Sequence, residues 1–83
     1  MAKLHIELKP RATKDLKNLD PQYRRRIIAK IEGLEDNLAG DVKRLTKFSP
    51  EYRLRVGEYR VLFEVEADRV IIYRIKHRKE AYD

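Results

Sequence analysis

Apolar and polar positions alternate at the start of the chain. Leu4, Ile6 and Leu8 are separated by Lys3, His5, Glu7 and Lys9, the pattern of a half-buried strand with His5 on its solvated side. Pro10 ends that run and can open a helix, and Ala12, Leu16 and Leu19 then recur at helical spacing. Asp20-Pro21 resets the chain, with Asp20 as an N-cap and Pro21 as a first helical residue. From Pro21 to Leu38, Tyr23, Ile27, Ile31, Leu34 and Leu38 form one apolar stripe, widened by Ile28, and Gly40 is a natural stop. Residues 41–51 read as a basic linker from which Leu45 and Phe48 tuck under the rest, with a turn at Ser49-Pro50.

Period two then returns. Tyr52, Leu54 and Val56 share one face of a strand, as do Tyr59, Val61, Phe63 and Val65 in the next. Gly57-Glu58 joins the two strands in a two-residue turn of the mirror-image type, where glycine tolerates positive φ. Ala67-Asp68 leads into Arg69 to about Lys76, whose residues Val70, Ile71, Ile72, Tyr73 and Ile75 are nearly continuous. Such a run suits a central strand covered on both sides, or one whose outer face lines a groove. The order predicts a single α+β domain over residues 1–83. It is a two-layer β-α-α-β-β-β arrangement, with a mainly antiparallel sheet covered on one face by a helical hairpin. The first strand is expected to pair with the last segment of the sheet.

The hairpin register has a chemical consequence. If Val56 pairs with Tyr59, Arg55 lies opposite Arg60, and Arg53 joins them on the face away from the apolar residues. Like charges directly across a strand pair are unfavourable, so this face invites an anion. Two readings stand side by side: a phosphate site, or a plain solvated face neutralised by Glu51, Glu58 and Glu64. The run Arg24-Arg25-Arg26 carries the same ambiguity between a nucleic-acid contact and a solvated face. Strict alternation in the last strand puts His77 on the Arg60 face and Lys76 on the other, unless the strand bulges.

Charge sharpens this picture. The net charge is +6, and residues 42–83, where the strands lie, hold eleven Lys/Arg against seven Asp/Glu. A small basic domain suggests a nucleic-acid or acidic protein partner. The chain has no cysteine, hence no disulfide framework and no thiolate metal site, which fits a reducing cytoplasm. No apolar run approaches the roughly 20 residues of a membrane span, and the opening residues alternate rather than forming a signal peptide. No nucleotide-binding, metal-binding or serine/cysteine nucleophile motif is present, so no cofactor or metal is expected. What remains is a cationic face with His77 and Tyr82 nearby, a set that suits metal-independent cleavage of RNA. There the 2′-hydroxyl supplies the nucleophile, and the protein positions the backbone, stabilises charge and moves protons.

The succession YRLRVGEYRVLFEVEADRVIIYRIKHRKEAYD, with R-x-G-x-Y-R-[VIL]-x-[FY] and a closing H-R-x-x-x-Y, resembles the RelE/ParE toxin superfamily, its RelE branch in particular. The likeness extends over the whole chain. It implies a ribosome-dependent endoribonuclease that cuts mRNA in the ribosomal A site and is held in check by a cognate antitoxin. On that likeness Arg60 would stabilise the transition-state phosphate, and Arg53 and Arg55 would grip or deprotonate the RNA. Lys76 would protonate the leaving oxygen, Tyr82 would stack on the cleaved nucleotide, and His77 stands where some relatives place a catalytic histidine. Arg44, Lys47 and Arg78 would add contacts to the RNA. Arg55 departs from the lysine of some relatives: arginine stays protonated and is a poor base, which leaves His77 or electrostatic activation of the 2′-hydroxyl. Two other readings compete: a ParE-like toxin that inhibits DNA gyrase and cleaves nothing, and a small basic RNA-binding module.

Overall fold

The structure, a computed structural model, describes residues 3–45 and 49–80. A five-stranded sheet in the order β1-β5-β4-β3-β2 carries two helices. Strand β1 (His5–Leu8) runs parallel to β5 (Arg69–His77), from the pair His5–Arg69 to the pair Leu8–Ile72. The remaining pairs, β5 with β4 (Tyr59–Glu66), β4 with β3 (Tyr52–Val56) and β3 with β2 (Val42–Arg44), are antiparallel. The predicted α+β class and the pairing of the first strand with the last are both present. The order is nevertheless β-α-α-β-β-β-β, because the expected linker contains β2. Its three residues are too few to show a period of two.

Helix α1 (Pro10–Lys17) opens on its proline and buries Ala12 and Leu16. Helix α2 (Pro21–Gly33) buries Ile27 and Ile31. It ends five residues before the predicted Leu38. After Gly33 the backbone tightens into i→i+3 bonds, Leu34 to Ile31, Glu35 to Glu32 and Asp36 to Gly33, and then turns through positive φ at Asn37 and Leu38. The apolar stripe outlasts the helix, since Leu34 is fully buried and Leu38 packs against the core. Arg24 is no solvated charge. Its Nε donates to the Leu16 carbonyl (3.0 Å) and its Nη2 to the carbonyls of Lys17 (3.3 Å) and Leu19 (2.9 Å), closing the C-terminal end of α1.

The core lies between the helices and one sheet face, where Leu54, Val56, Val61, Phe63, Val70, Ile72 and Ile75 meet Ala12, Leu16, Ile27, Ile31 and Leu34. The opposite sheet face is not uniformly wet. Leu62 and Ile71 are buried there, and so are Arg53 and Arg60. Leu45, which leads out of β2, is buried as well, as the sequence suggests; Phe48 lies outside the described residues.

Candidate functional site

The hairpin has the register its turn predicts: Val56 pairs with Tyr59, Arg55 with Arg60, and Leu54 with Val61. Gly57 at the turn has φ +59, the left-handed conformation that glycine adopts without strain. Side chains of paired residues share a face, so the far side of the sheet carries two cross-strand rows. One runs Arg55–Arg60–Lys76, and the other runs Lys43–Arg53–Leu62–Arg74.

Lys76 reaches the first row through a bulge. Leu62 pairs with Arg74 but Phe63 pairs with Ile72, so Tyr73 is an extra residue in β5. The extra residue inverts the alternation beyond it. Val70, Ile72 and Ile75 can then all face the core, and Lys76 comes opposite Arg60. Strict alternation is therefore corrected: Lys76 shares the Arg60 face and His77 does not. His77 pairs with Tyr59 on the helix side, with its ring edge-on to that tyrosine at 5.5 Å. Glu58 lies 3.9 Å from His77 Nε2.

The guanidinium of Arg60 is held, not floating. The residue is only 4% exposed, and its Nη1 donates to the carbonyls of Gly57 (3.0 Å) and Tyr59 (3.1 Å). Arg53, 6% exposed, directs Nη1 at the carbonyl oxygen of Asp41 (3.5 Å) and at its carboxylate (3.7 Å). Arg55 is half exposed, with Nε 3.6 Å from the other Asp41 oxygen. Asp41, at the entrance to β2, thus stands between two of the arginines. The glutamates expected to neutralise them lie elsewhere: Glu51 binds Arg44, Glu58 lies near His77 and Arg78, and Glu64 accepts from Ser49.

Arg44 stands on the other side of β2, opposite Tyr52, and the strand presents Lys43 to the cationic face in its place. Arg78 is exposed beside Glu58, its Nε 3.9 Å from the carboxylate. Lys47 and Tyr82 lie outside the described residues. Sequence reasoning missed Lys43, Asp41 and Arg74. All three become visible only once β2 and the bulge set the register.

Arg74 closes the second row. Its Nε donates to Asp15 Oδ2 (2.8 Å) and its Nη2 to Oδ1 (3.4 Å), while the Ile75 N–H donates to Oδ2 (2.9 Å). Burial alone, the largest influence, would raise the Asp15 pKa. The hydrogen bonds from Arg74 and Ile75, with the charges of Arg74 and Arg11, outweigh it and hold the carboxyl below its ordinary value. The Asp15 hydrogen bond in turn raises Arg74 against its own partial burial, with help from the charges of Asp15 and Glu80. Among the described residues no group of three or more His, Cys, Asp or Glu side chains could hold a metal ion.

Known proteins share this small α+β fold. Residues 6–82 match the family model described as ParE toxin of the type II toxin–antitoxin system. Toxin RelE3 of Methanocaldococcus jannaschii is 39% identical over 75 residues, covering 84% of this chain and 85% of that protein. The RelE of the RelB–RelE antitoxin–toxin complex from Methanococcus jannaschii superposes with a TM-score of 0.74 at 35% identity, covering 88% of this chain and 91% of that one. The archaeal RelE–RelB complex from Pyrococcus horikoshii gives a TM-score of 0.75 at 25% identity, covering 95% and 99%. The chain belongs to the RelE/ParE toxin superfamily of type II toxin–antitoxin systems.

Proposed function

We propose that this toxin is a RelE-type mRNA interferase: a ribosome-dependent endoribonuclease that cuts mRNA in the A site, acts in the cytoplasm and is neutralised by a cognate RelB-like antitoxin. The observation that carries this reading is the row Arg55–Arg60–Lys76, three cations across adjacent strands with Arg60 buried and braced by two carbonyls. Preorganised donors of this kind stabilise charge that develops in a transition state, because they need not reorganise when it appears. The similarity to RelE3 and to the toxin of a RelB–RelE complex supports the toxin role and the antitoxin partner.

In this mechanism the 2′-oxygen attacks the adjacent phosphorus and loses its proton to water, while the bond to the 5′-oxygen breaks and that oxygen gains a proton. Arg60 stabilises the pentavalent phosphate, and Lys76, its neighbour across the ladder, donates to the leaving oxygen. Arg53, Arg55 and Lys43 hold the backbone, and Tyr82 stacks on the nucleotide. Arginine is a poor general base, so Arg55 grips the RNA and does not deprotonate it. His77, on the helix side, reaches the RNA only around the end of β5. Activation of the 2′-hydroxyl therefore rests on the cationic field and on geometry supplied by the ribosome.

A second reading, a ParE-like inhibitor of DNA gyrase, draws on the description of the matching family model. Purified toxin should cleave mRNA on programmed ribosomes, cut the same RNA poorly when it is naked, and leave gyrase supercoiling unaffected. Gyrase inhibition without cleavage would establish the second reading instead. Efficient cleavage of naked RNA would remove the ribosome from the mechanism.

A further inference from the structure

Past Leu8, no strand among the described residues lies on the outer side of β5. The parallel ladder ends at the pair Leu8–Ile72, and the Lys9 N–H donates once more to the Ile72 carbonyl (2.9 Å). The segment that follows holds the bulge at Tyr73 and then Lys76. Helix α1 places Asp15 against it. Asp15, 15% exposed, accepts from the side chain of Arg74 (2.8 Å) and from the backbone N–H of Ile75 (2.9 Å) with the same oxygen. The residue after Ile75 is Lys76.

On its inner edge this part of β5 is held by the ladder to β4, which pairs Val61 with Ile75 and Arg60 with Lys76. Burial of Ile75 selects which face each residue takes, but an apolar contact has no direction and does not fix the tilt of the outer edge. The Asp15 hydrogen bonds do have direction. We propose that Asp15 is a positioning residue: by clamping Arg74 and Ile75 just after the bulge, it aims Lys76 across the sheet at Arg60. The functional half of this inference rests on the nuclease reading; the structural half does not.

The test uses the full chain with Asp15→Ala, Asp15→Glu, Asp15→Asn, Lys76→Ala and the double variant Asp15→Ala/Lys76→Ala. In Asp15→Ala the Ile75 amide should exchange about tenfold faster or more. Arg60–Lys76 cross-strand contacts seen by NMR should weaken, while Val65–Val70 contacts persist. Single-turnover mRNA cleavage on ribosomes should slow by about ten- to a hundredfold at unchanged ribosome affinity.

Asp15→Asn keeps an acceptor for Ile75 and should recover most of the rate. Asp15→Glu keeps the charge but displaces the oxygen, so it should behave like alanine; it also supplies the comparison if Asp15→Ala does not fold. In the Lys76→Ala background, Asp15→Ala should cost little more. An unchanged Ile75 amide and Arg60–Lys76 pair would overturn the proposal, and so would full activity of Lys76→Ala or an equal loss in both backgrounds. If the wild-type protein cleaves nothing on ribosomes, the nuclease reading falls with the functional half, and the exchange data still decide the clamp.

Discussion

Arg60 and Arg69 are both strand arginines, and an account based on bulk charge treats them alike. The structure separates them. Arg60 is buried at the centre of a cationic row, with its guanidinium on the carbonyls of Gly57 and Tyr59. Arg69 is half exposed at the far turn, paired with Glu7 (3.0 Å) and Glu66 (3.8 Å). Arg60→Ala should lower ribosomal mRNA cleavage by about a hundredfold or more, the usual cost of one preorganised transition-state donor. Period two alone puts Arg60 on a solvent face, which implies a silent effect on stability. Its burial revises that to a loss of about 1–2 kcal/mol in urea unfolding. Arg69→Ala should cleave normally and stay within about 0.5 kcal/mol of wild type, since exposed ion pairs contribute little. Cleavage by Arg60→Ala at the wild-type rate would show that the phosphate site lies elsewhere.

Among the elements, β2 and the bulge in β5 decide which cations gather. Lys43 and Arg44 are sequence neighbours, yet Lys43 stands opposite Arg53 and Arg44 opposite Tyr52. Lys43→Ala should weaken binding to single-stranded RNA and flatten its salt dependence by about 0.7 in log K against log salt, the share of one phosphate contact. Arg44→Ala should change neither, because its side chain points to the other face and already binds Glu51. Equal effects of the two substitutions would mean that β2 does not present its residues as the ladder requires. The hairpin of β3 and β4 was legible in full, down to Arg55 opposite Arg60, because a two-residue turn with glycine leaves one register open. The bulge left a trace too. Val70, Ile72 and Ile75 cannot share a core face at period two, and only an extra residue reconciles them.

For the whole molecule, the Asp15–Arg74 pair ties α1 to β5 across 59 residues of sequence. The sign of its pH dependence follows from the lowered Asp15 pKa. A depressed carboxyl stabilises the fold fully above its unfolded-state pKa, near 3.9, and the contribution is lost as pH falls through the lower folded value. Hydrogen bonds to a charged group contribute about 1.5–3 kcal/mol. Partial exposure of Arg74 places this pair at the low end. Urea unfolding of wild type and Asp15→Asn should therefore differ by a constant amount above about pH 5 and converge below about pH 4. A difference that persists unchanged at pH 2 would mean that the carboxylate charge contributes nothing.

Local chemistry determined much of this protein before any contact was known. Period-two and helical spacing set the elements, Pro10 and Pro21 opened the helices, and the Gly57 turn set the hairpin register. A positive net charge with its excess in the strands pointed to an anionic partner. Each of these depends on residues within a few positions of one another. The tertiary structure alone decided that Asp41 stands between Arg53 and Arg55, that Lys43 and not Arg44 joins the cationic face, and that Lys76 and His77 exchange sides. Those placements depend on which strand lies beside which and on a single extra residue in β5. The strand order is encoded in no one segment, and the trace of the bulge in β5 becomes a register only through the packing of the whole sheet against its helices.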